Sequence, residues 1–493
     1  MNLEKPRGKQ PNMVVIFADD IGYGDFGCYN SDSKIPTPHI DRLAAEGMCF
    51  HDAHSASAVC TPSRYSLMTG RYCWRSELKR GVLYGYEPPL IEPDRLTVAS
   101  LLKEAGYHTG CIGKWHLGLG YSTRPDRYVD FGRHLPWSNA ARELDEAIDF
   151  CAPIEGGPLD LGFDTFFGTS GCSTCQPPYG FIDGRHFVEA PSVYDDDPPF
   201  TGRAGIKAPS WDHKEADPTF ARKAVEYIEA RADEDAPFFL YLAPSAAHEP
   251  CTDEVTPEFA RGKSDAGPRG DLVWLFDWMV GQVMDALDRT GQAESTLIMI
   301  SSDNGALAGD RVKEGDGVVW RTYDHASCGD LRGYKAHIWE GGHREPLVAR
   351  WPGRVAAGSS CDSLCCLTDL IATCADIVGS TLPAGAADDS VSLLPALLGK
   401  QDATPSGRTV VHHSGTGVFA VRQDDWKAVF GTTGSGGWPP PRGAQAEAGT
   451  RGQLYNLADD PHEEHNLWDE RPGVVVRLGR ELDQCKATRA LQQ

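Results

Sequence analysis

At 493 residues the chain is longer than a single apolar core usually supports, so one large domain with a smaller companion is the first expectation. Its 41% hydrophobic and 24% charged residues are ordinary for a soluble globular protein, and no apolar run approaches the ~20 residues needed to span a membrane. A net charge of −23, from 47 Lys+Arg against 70 Asp+Glu, argues against nucleic acid as a partner, because backbone phosphates demand a basic face; it leaves room for a local cationic pocket around one small anionic group.

Residues 1–10 are polar and lack the apolar core of a secretory signal, so the chain as written reads as cytoplasmic, with export to the periplasm the alternative if a leader has been trimmed. Met13-Val14-Val15-Ile16-Phe17 is apolar throughout, the mark of a strand buried on both faces, and it ends in Ala18-Asp19-Asp20. Cys60-Thr61-Pro62-Ser63-Arg64 opens a helix: Pro62 fits the first turn, Leu67 and Met68 face the core, and Gly70 ends it. A helical pattern over 98–105 leads into a strand at 109–113 that ends in Lys114-Trp115-His116. Helix 218–232 leads into strand 238–242, which runs on to His248, and helix 272–288 leads into strand 297–300, which runs into Ser301-Ser302-Asp303-Asn304-Gly305. Repeated helix-then-strand connectivity predicts an α/β fold, and in such sheets ligands bind beyond the carboxyl ends of the strands. Here those ends carry carboxylates, an amide, two histidines and a lysine.

Fifteen cysteines form an odd set in a long chain, so no complete disulfide framework is implied. Cys172-Ser173-Thr174-Cys175 is a lone CxxC without a second pair at zinc-site spacing and reads as structural; Cys365-Cys366 reads as core-facing or incidental. Beyond 393–400 the texture changes. Residues 408–412 and 418–430 read as antiparallel strands, a Gly/Pro-rich loop covers 431–452, and 474–490 closes the chain as a helix. The expected division is a catalytic α/β domain over 1–400 and a smaller C-terminal subdomain over 401–493.

Asp19, Asp20, Asp303 and Asn304 offer only hard oxygen ligands, which suits Ca²⁺ or Mg²⁺ rather than zinc or copper. Either pair alone reads as a turn or cap; two pairs at two strand ends point to one divalent ion. Cys60 sits at a helix N-terminus, where free N–H groups favour an anion, so an ordinary cysteine there is expected to have a lowered pKa and to serve as a thiolate nucleophile. The bare C-x-P-x-R pattern arises by chance in roughly one chain in fifteen of this length. Its extension through Leu67, Thr69, Gly70 and Arg71 is far rarer.

Asp19-Asp20, the extended Cys60 run, Gly113-Lys114-Trp115-His116-Leu117-Gly118, His248, Ser302-Asp303-Asn304-Gly305 and Arg332-Gly333-Tyr334-Lys335 with Trp339-Glu340-Gly341-Gly342 together resemble the type I sulfatases of the alkaline-phosphatase superfamily. Leu454-Tyr455-Asn456-Leu457 and Glu464-His465-Asn466-Leu467 resemble that family's C-terminal part, and the whole is most similar to the arylsulfatase A and N-acetylgalactosamine-6-sulfatase branch. The resemblance implies a large, mixed, mainly parallel sheet sandwiched by helices, with a smaller antiparallel sheet plus helix at the C-terminus. It implies that a separate maturation enzyme oxidises Cys60 to formylglycine, whose hydrate attacks sulfur with one hydroxyl and expels sulfate with the other. It implies one metal, Ca²⁺ before Mg²⁺, held by Asp19, Asp20, Asp303, Asn304 and the modified Cys60. Arg64 and Lys114 would hold the diol, Lys335 would clamp the sulfate, His116 would take the proton when the diol collapses, and His248 would protonate the leaving group. Asp303 would double as base for the attacking hydroxyl.

The substrate expected is a small sulfated molecule, a sulfated sugar before a simple aryl sulfate. Its remainder would be read around 171–184 and 315–330, with Trp74, Arg75, Tyr84, Tyr86, His134, Trp137, Arg185 and His325 as candidate contacts, each also explicable as structural. Two other readings stay open: a phosphomonoester or phosphonate-monoester hydrolase on the same scaffold, and, without maturation of Cys60, a protein that only binds sulfated ligands. Oligomeric state is not legible.

Overall fold

The computed structural model describes residues 10–127, 140–198, 202–314, 317–400, 405, 407–437 and 451–487. Among them no helix is long and apolar enough to cross a membrane. In chain order the elements that build and cover the main sheet are β1 (Asn12–Ala18), α1 (Pro38–Ala45), β2 (Met48–Phe50), α2 (Cys60–Thr69), α3 (Val98–Glu104), β3 (His108–Lys114), β4 (Thr165–Thr169), β5 (Ile182–Asp183), β6 (His186–Phe187), α4 (Ala216–Glu229), β7 (Phe238–Ala243), α5 (Gly267–Arg289) and β8 (Thr296–Ser302). A hairpin of β9 (Asp310–Glu314) and β10 (Gly317–Arg321) follows, then β11 (Leu347–Arg350), β12 (Ser359–Cys361) and α6 (Leu370–Val378). The chain ends with β13 (Thr409–His413), β14 (Phe419–Gln423), β15 (Trp426–Phe430), β16 (Gly452–Asn456) and α7 (Pro472–Ala487).

Ten strands form one sheet in the order β12-β2-β11-β8-β1-β7-β3-β4-β5-β6. Its middle five, β8 to β4, are parallel, and antiparallel pairing begins with β11 on one side and β5 on the other. Alternate residues of the central strands supply both faces, which is why β1 reads as one apolar run. Met13, Val15 and Phe17 join Tyr241 and Met299 under α2, α3 and α6, while Val14, Ile16 and Ala18 join Leu240 and Ile300 under α1, α4 and α5. Each fully buried Leu, Ile or Phe in these layers contributes about 2 kcal/mol.

The predicted helices are present with shifted ends. Helix α4 starts at Ala216, placing Pro218 in the first turn, where no N–H partner is required, and it stops at Glu229 because Arg231 and Ala232 close tight turns onto Ile228 and Glu229. The four strands from β13 to β16 form a separate antiparallel sheet. Its fourth strand, β16, begins inside what reads from sequence as the end of a loop. Leu478 and Leu482 of α7 pack on Val410, Val421, Ala428 and Leu454, and Tyr72 and Trp74 from beyond α2 complete that core.

Charged groups also join the two sheets. Lys427 of β15 reaches Glu340 at 2.9 Å and Glu463 at 2.8 Å, and Asp52 takes Arg422 at 3.2 Å and His54 at 2.8 Å. His54 meets His343 through their Nδ1 atoms at 3.1 Å, and His343 stacks on His412 at 4.0 Å between ring centroids.

Candidate active site

The sheet register decides what meets at its carboxyl edge. Ala18 lies opposite Ser302, and Ala243 opposite Gly113, so the residues that follow β1, β8, β7 and β3 emerge side by side. Asp19 and Asp20 follow β1, Asp303 and Asn304 follow β8, Lys114 ends β3 with His116 just beyond it, and His248 lies in the loop after β7. Helix α2 brings Cys60 and Arg64 over this edge; all its residues are buried, and Gly70, at φ +65°, closes it where a Cβ would strike Ile371. Lys335 arrives from a later loop, its N–H bonded to the carbonyl of Ala306 at 2.8 Å. Nine of the ten residues expected in the site are buried, and Lys335, with 13% of its side chain exposed, marks the opening together with His248 at 10%.

Three cations stand against three carboxylates. Arg64 donates through Nε and Nη2 to Asp303 Oδ2 at 3.0 and 2.7 Å, and its Nη2 lies 3.5 Å from Asp19 Oδ2. Lys114 bonds Asp19, and Lys335 donates to Asp20 Oδ2 at 2.7 Å. Asn304 Nδ2 donates to Asp20 Oδ1 at 2.8 Å. Asp19 Oδ1 and Asn304 Oδ1 remain buried without a partner, and one ligand atom from each of Asp19, Cys60 and Asp303 lies within 4.8 Å of the others. A buried oxygen acceptor left open normally costs about 1–3 kcal/mol, so these atoms fit a hard divalent cation.

Burial and the adjacent Asp19 push the Asp303 carboxyl up to about 7. Burial also acts on Asp19, but Lys114, His248, Arg64 and Lys335 outweigh it and hold that carboxyl far below its usual range. Burial raises the Cys60 thiol to about 11 despite the pull of Lys114 and Lys335. The expected low-pKa thiolate is thus corrected: desolvation at a fully covered helix terminus outweighs the favourable dipole.

The two histidines are set in opposite states. His116 donates from Nε2 to the carbonyl of Leu83 at 2.7 Å, leaving Nδ1 buried and unpartnered, and burial with Lys114 and Arg64 keeps the ring neutral. Burial opposes protonation of His248 too, but Cys172, Asp20 and Asp19 hold its pKa up to about 9. Its Nδ1 donates to the carbonyl of Glu249 at 2.7 Å, which turns Nε2 toward Asp20 Oδ2, 3.8 Å away. The loop carrying it is lashed to the rest of the site: Ala247 N–H donates to the Asp19 carbonyl at 2.7 Å, and Ser245 N–H donates to Asp217 Oδ1 at 2.8 Å.

Several side chains stand differently from their sequence reading. Cys172 and Cys175 form no disulfide and border the site; against burial, Cys175, His248 and Lys114 hold the Cys172 sulfur well below its ordinary pKa, and Cys175 Sγ lies 3.6 Å from His248 Nδ1. Trp74, Arg75, Tyr86 and His325 are buried, and the polar ends of the last three are taken by Asp389, Asp145 and Asp25, while Arg185 pairs with Asp160; these candidate substrate contacts are structural. His134 and Trp137 lie outside the described residues. Tyr241 was missed: it accepts a hydrogen bond from Arg64 Nη1 at 3.3 Å, and the available clue was a lone hydroxyl in an otherwise apolar strand.

A family model described as Sulfatase matches residues 11–380. An N-acetylgalactosamine-6-O-sulfatase of Bacteroides thetaiotaomicron is 32% identical across 97% of this chain and 93% of its own length. Human arylsulfatase A is 32% identical across 98% of this chain and 88% of its own. A solved B. thetaiotaomicron 6S-sulf structure, from work on the metabolism of multiple glycosaminoglycans, matches with a TM-score of 0.81 at 29% identity, covering 97% of this chain and 100% of that one.

Proposed function

The chain belongs to the sulfatase family and is a sulfuric ester hydrolase, and from that premise we propose that it removes sulfate from a sulfated sugar, using an aldehyde made from Cys60 and one calcium ion. The observation that carries this reading is the charge pattern of the pocket: Asp19, Asp20 and Asp303 are matched by Lys114, Lys335 and Arg64 in direct contact, yet Asp19 Oδ1 and Asn304 Oδ1 stay buried and open. Asp19, Asp20, Asp303 and Asn304, with the modified Cys60, would hold the ion, and an oxygen donor set favours calcium over zinc, with magnesium second. Two added positive charges turn a balanced cluster net positive, the sign needed to hold a sulfate ester.

When bound, the ion would supply charge stabilisation to the sulfate, and the hydrated aldehyde would supply two hydroxyls, one to attack sulfur and the other to expel sulfate, so that no second attack by water is needed. The remaining work belongs to fixed side chains. With the carboxylates engaged, Lys114 and Lys335 are available to the anion, and Arg64 stays oriented by Asp303 and Tyr241. His248, protonated and pinned by Glu249, serves as general acid to the leaving oxygen; neutral His116, pinned by Leu83, serves as base through Nδ1. The sugar reading draws on relatives named for N-acetylgalactosamine-6-sulfate, in B. thetaiotaomicron and the dog.

Rates on matched sulfate and phosphate esters of one sugar test the reaction: sulfate should be preferred, and a preference for phosphate would sink the proposal. Mass spectrometry of the natively produced peptide containing Cys60 tests the aldehyde. Conversion removes the sulfur, and an intact thiol in fully active protein would overturn it.

A further inference from the structure

Two arginine–aromatic pairs, neither used in the chemistry above, are braced to the two histidines of the site. The β9–β10 hairpin begins at Asp310, six positions after Asn304, so it springs from the site edge of β8. Arg311 and Trp320 face each other across its register, with the guanidinium 5.9 Å from the ring centroid. Arg311 also holds Glu249 at 3.2 Å, and the Glu249 carbonyl is the group that fixes His248. Trp320 is 48% exposed and is the only tryptophan among the large apolar side chains exposed in the described residues. In the second pair the Arg203 guanidinium lies 5.7 Å from the ring of Tyr84 and donates to the carbonyl of Cys175 at 3.0 Å. Tyr84 follows Leu83, whose carbonyl fixes His116, and Cys175 touches His248.

A single exposed apolar side chain is ordinary; what sets Trp320 apart is the Arg311 guanidinium beside its ring and the tie from Arg311 through Glu249 to His248. A flat ring with a guanidinium beside it matches a pyranose, whose C–H faces are apolar and whose rim carries hydroxyls and, in acidic sugars, a carboxylate. The bracing ties each platform to a histidine through one intervening residue, which fixes a sugar resting on it relative to the group that protonates the leaving oxygen. We propose that Trp320–Arg311 and Tyr84–Arg203 form two walls of a carbohydrate cleft that holds the sulfated sugar and the unit attached to it. This inference rests on the sulfated-sugar reading above.

The test compares a sulfated disaccharide with a chromogenic aryl sulfate, whose reach ends at the sulfate pocket. Trp320→Ala and Tyr84→Ala should each lower kcat/KM for the disaccharide at least about tenfold, mainly through KM, while the aryl sulfate changes less than about threefold, and Trp320→Phe should recover most of the loss. Equal losses on both substrates, or an unchanged disaccharide rate, overturn the cleft. Wild-type protein that cleaves the aryl sulfate but no sulfated saccharide overturns the sugar reading itself, so the two failures are told apart. A matching thermal midpoint in Trp320→Ala shows that folding is not what changed.

Discussion

Two buried ionic clusters grow from neighbouring stretches of chain, and they have opposite characters. The cluster at Asp52 and His54 lies between the two sheets and sets three cations against three carboxylates: Lys427 between Glu340 and Glu463, Arg422 on Asp52, and Arg344 on Glu340. His54, His343 and His412 bring ligand atoms within 4.8 Å of one another, yet His343 and His412 are stacked with their planes only 13° apart. A coordinated ion must lie near the plane of each ring, so these imidazoles do not converge on one. Both clusters hold buried oxygen atoms without a hydrogen-bond partner, Glu340 Oε2 and Glu463 Oε1 in the first and Asp19 Oδ1 and Asn304 Oδ1 in the second; the cluster at Cys60 differs in having lysines that rest on carboxylates they can exchange for another anion and an opening at Lys335 and His248. Burying charge is costly everywhere. In one place it fastens two sheets, and in the other it is held ready for a ligand.

The comparison predicts that changes at the Cys60 cluster cost activity and changes at the other cost stability. Cys60→Ala should cut turnover of a chromogenic aryl sulfate by at least about 10⁴-fold while the thermal midpoint moves by less than about 3 °C. Undiminished turnover would place the nucleophile elsewhere. Lys427→Met strands Glu340 and Glu463, and urea unfolding should show a loss of about 3–5 kcal/mol with kcat per folded molecule kept within about threefold. A collapse of kcat at full stability would mean the clusters are not separable.

Calcium supplied at about a hundred times its dissociation constant should add about 2.7 kcal/mol of unfolding free energy to chelated wild type. Lys427→Met should gain the same amount and Asp19→Asn almost none; a gain in Asp19→Asn would move the ion out of the Cys60 pocket. The smallest effect concerns His413, beside the stacked histidines. Burial lowers it to about 4 from an ordinary 6.5, so below 6.5 the unfolded chain takes up a proton that the folded chain does not, and stability falls as pH drops. At about pH 5 that loss is about 2 kcal/mol. His413→Asn keeps a donor for the Ser414 carbonyl, and calorimetry should show a smaller fall in midpoint between about pH 7.5 and about pH 5 than in wild type. An equal fall would assign the pH dependence to other groups.

Much of this was legible in the sequence for a local reason. A strand buried on both faces must be apolar, so polar residues bunched at its end are there for something other than packing, and Asp19, Lys114, His248 and Asp303 could be read in that way. The CxxC could not, because its spacing says nothing of the loop after β7 that it meets. Arg75, Tyr86 and His325 looked like surface contacts because a sequence displays a polar end without showing the carboxylate that takes it.

The sequence by itself determined the alternation of helix and strand, the apolar sheet and the hard-oxygen donor set, since periodicity, turn chemistry and ligand type are properties of short stretches. Only the tertiary structure decided which cations rest on which carboxylates, that burial keeps the Cys60 thiol protonated, and that one cluster closes on itself while the other opens. Those are contacts between segments hundreds of residues apart, such as Asp20 with Lys335, and their strength depends on how completely the fold removes water from around them.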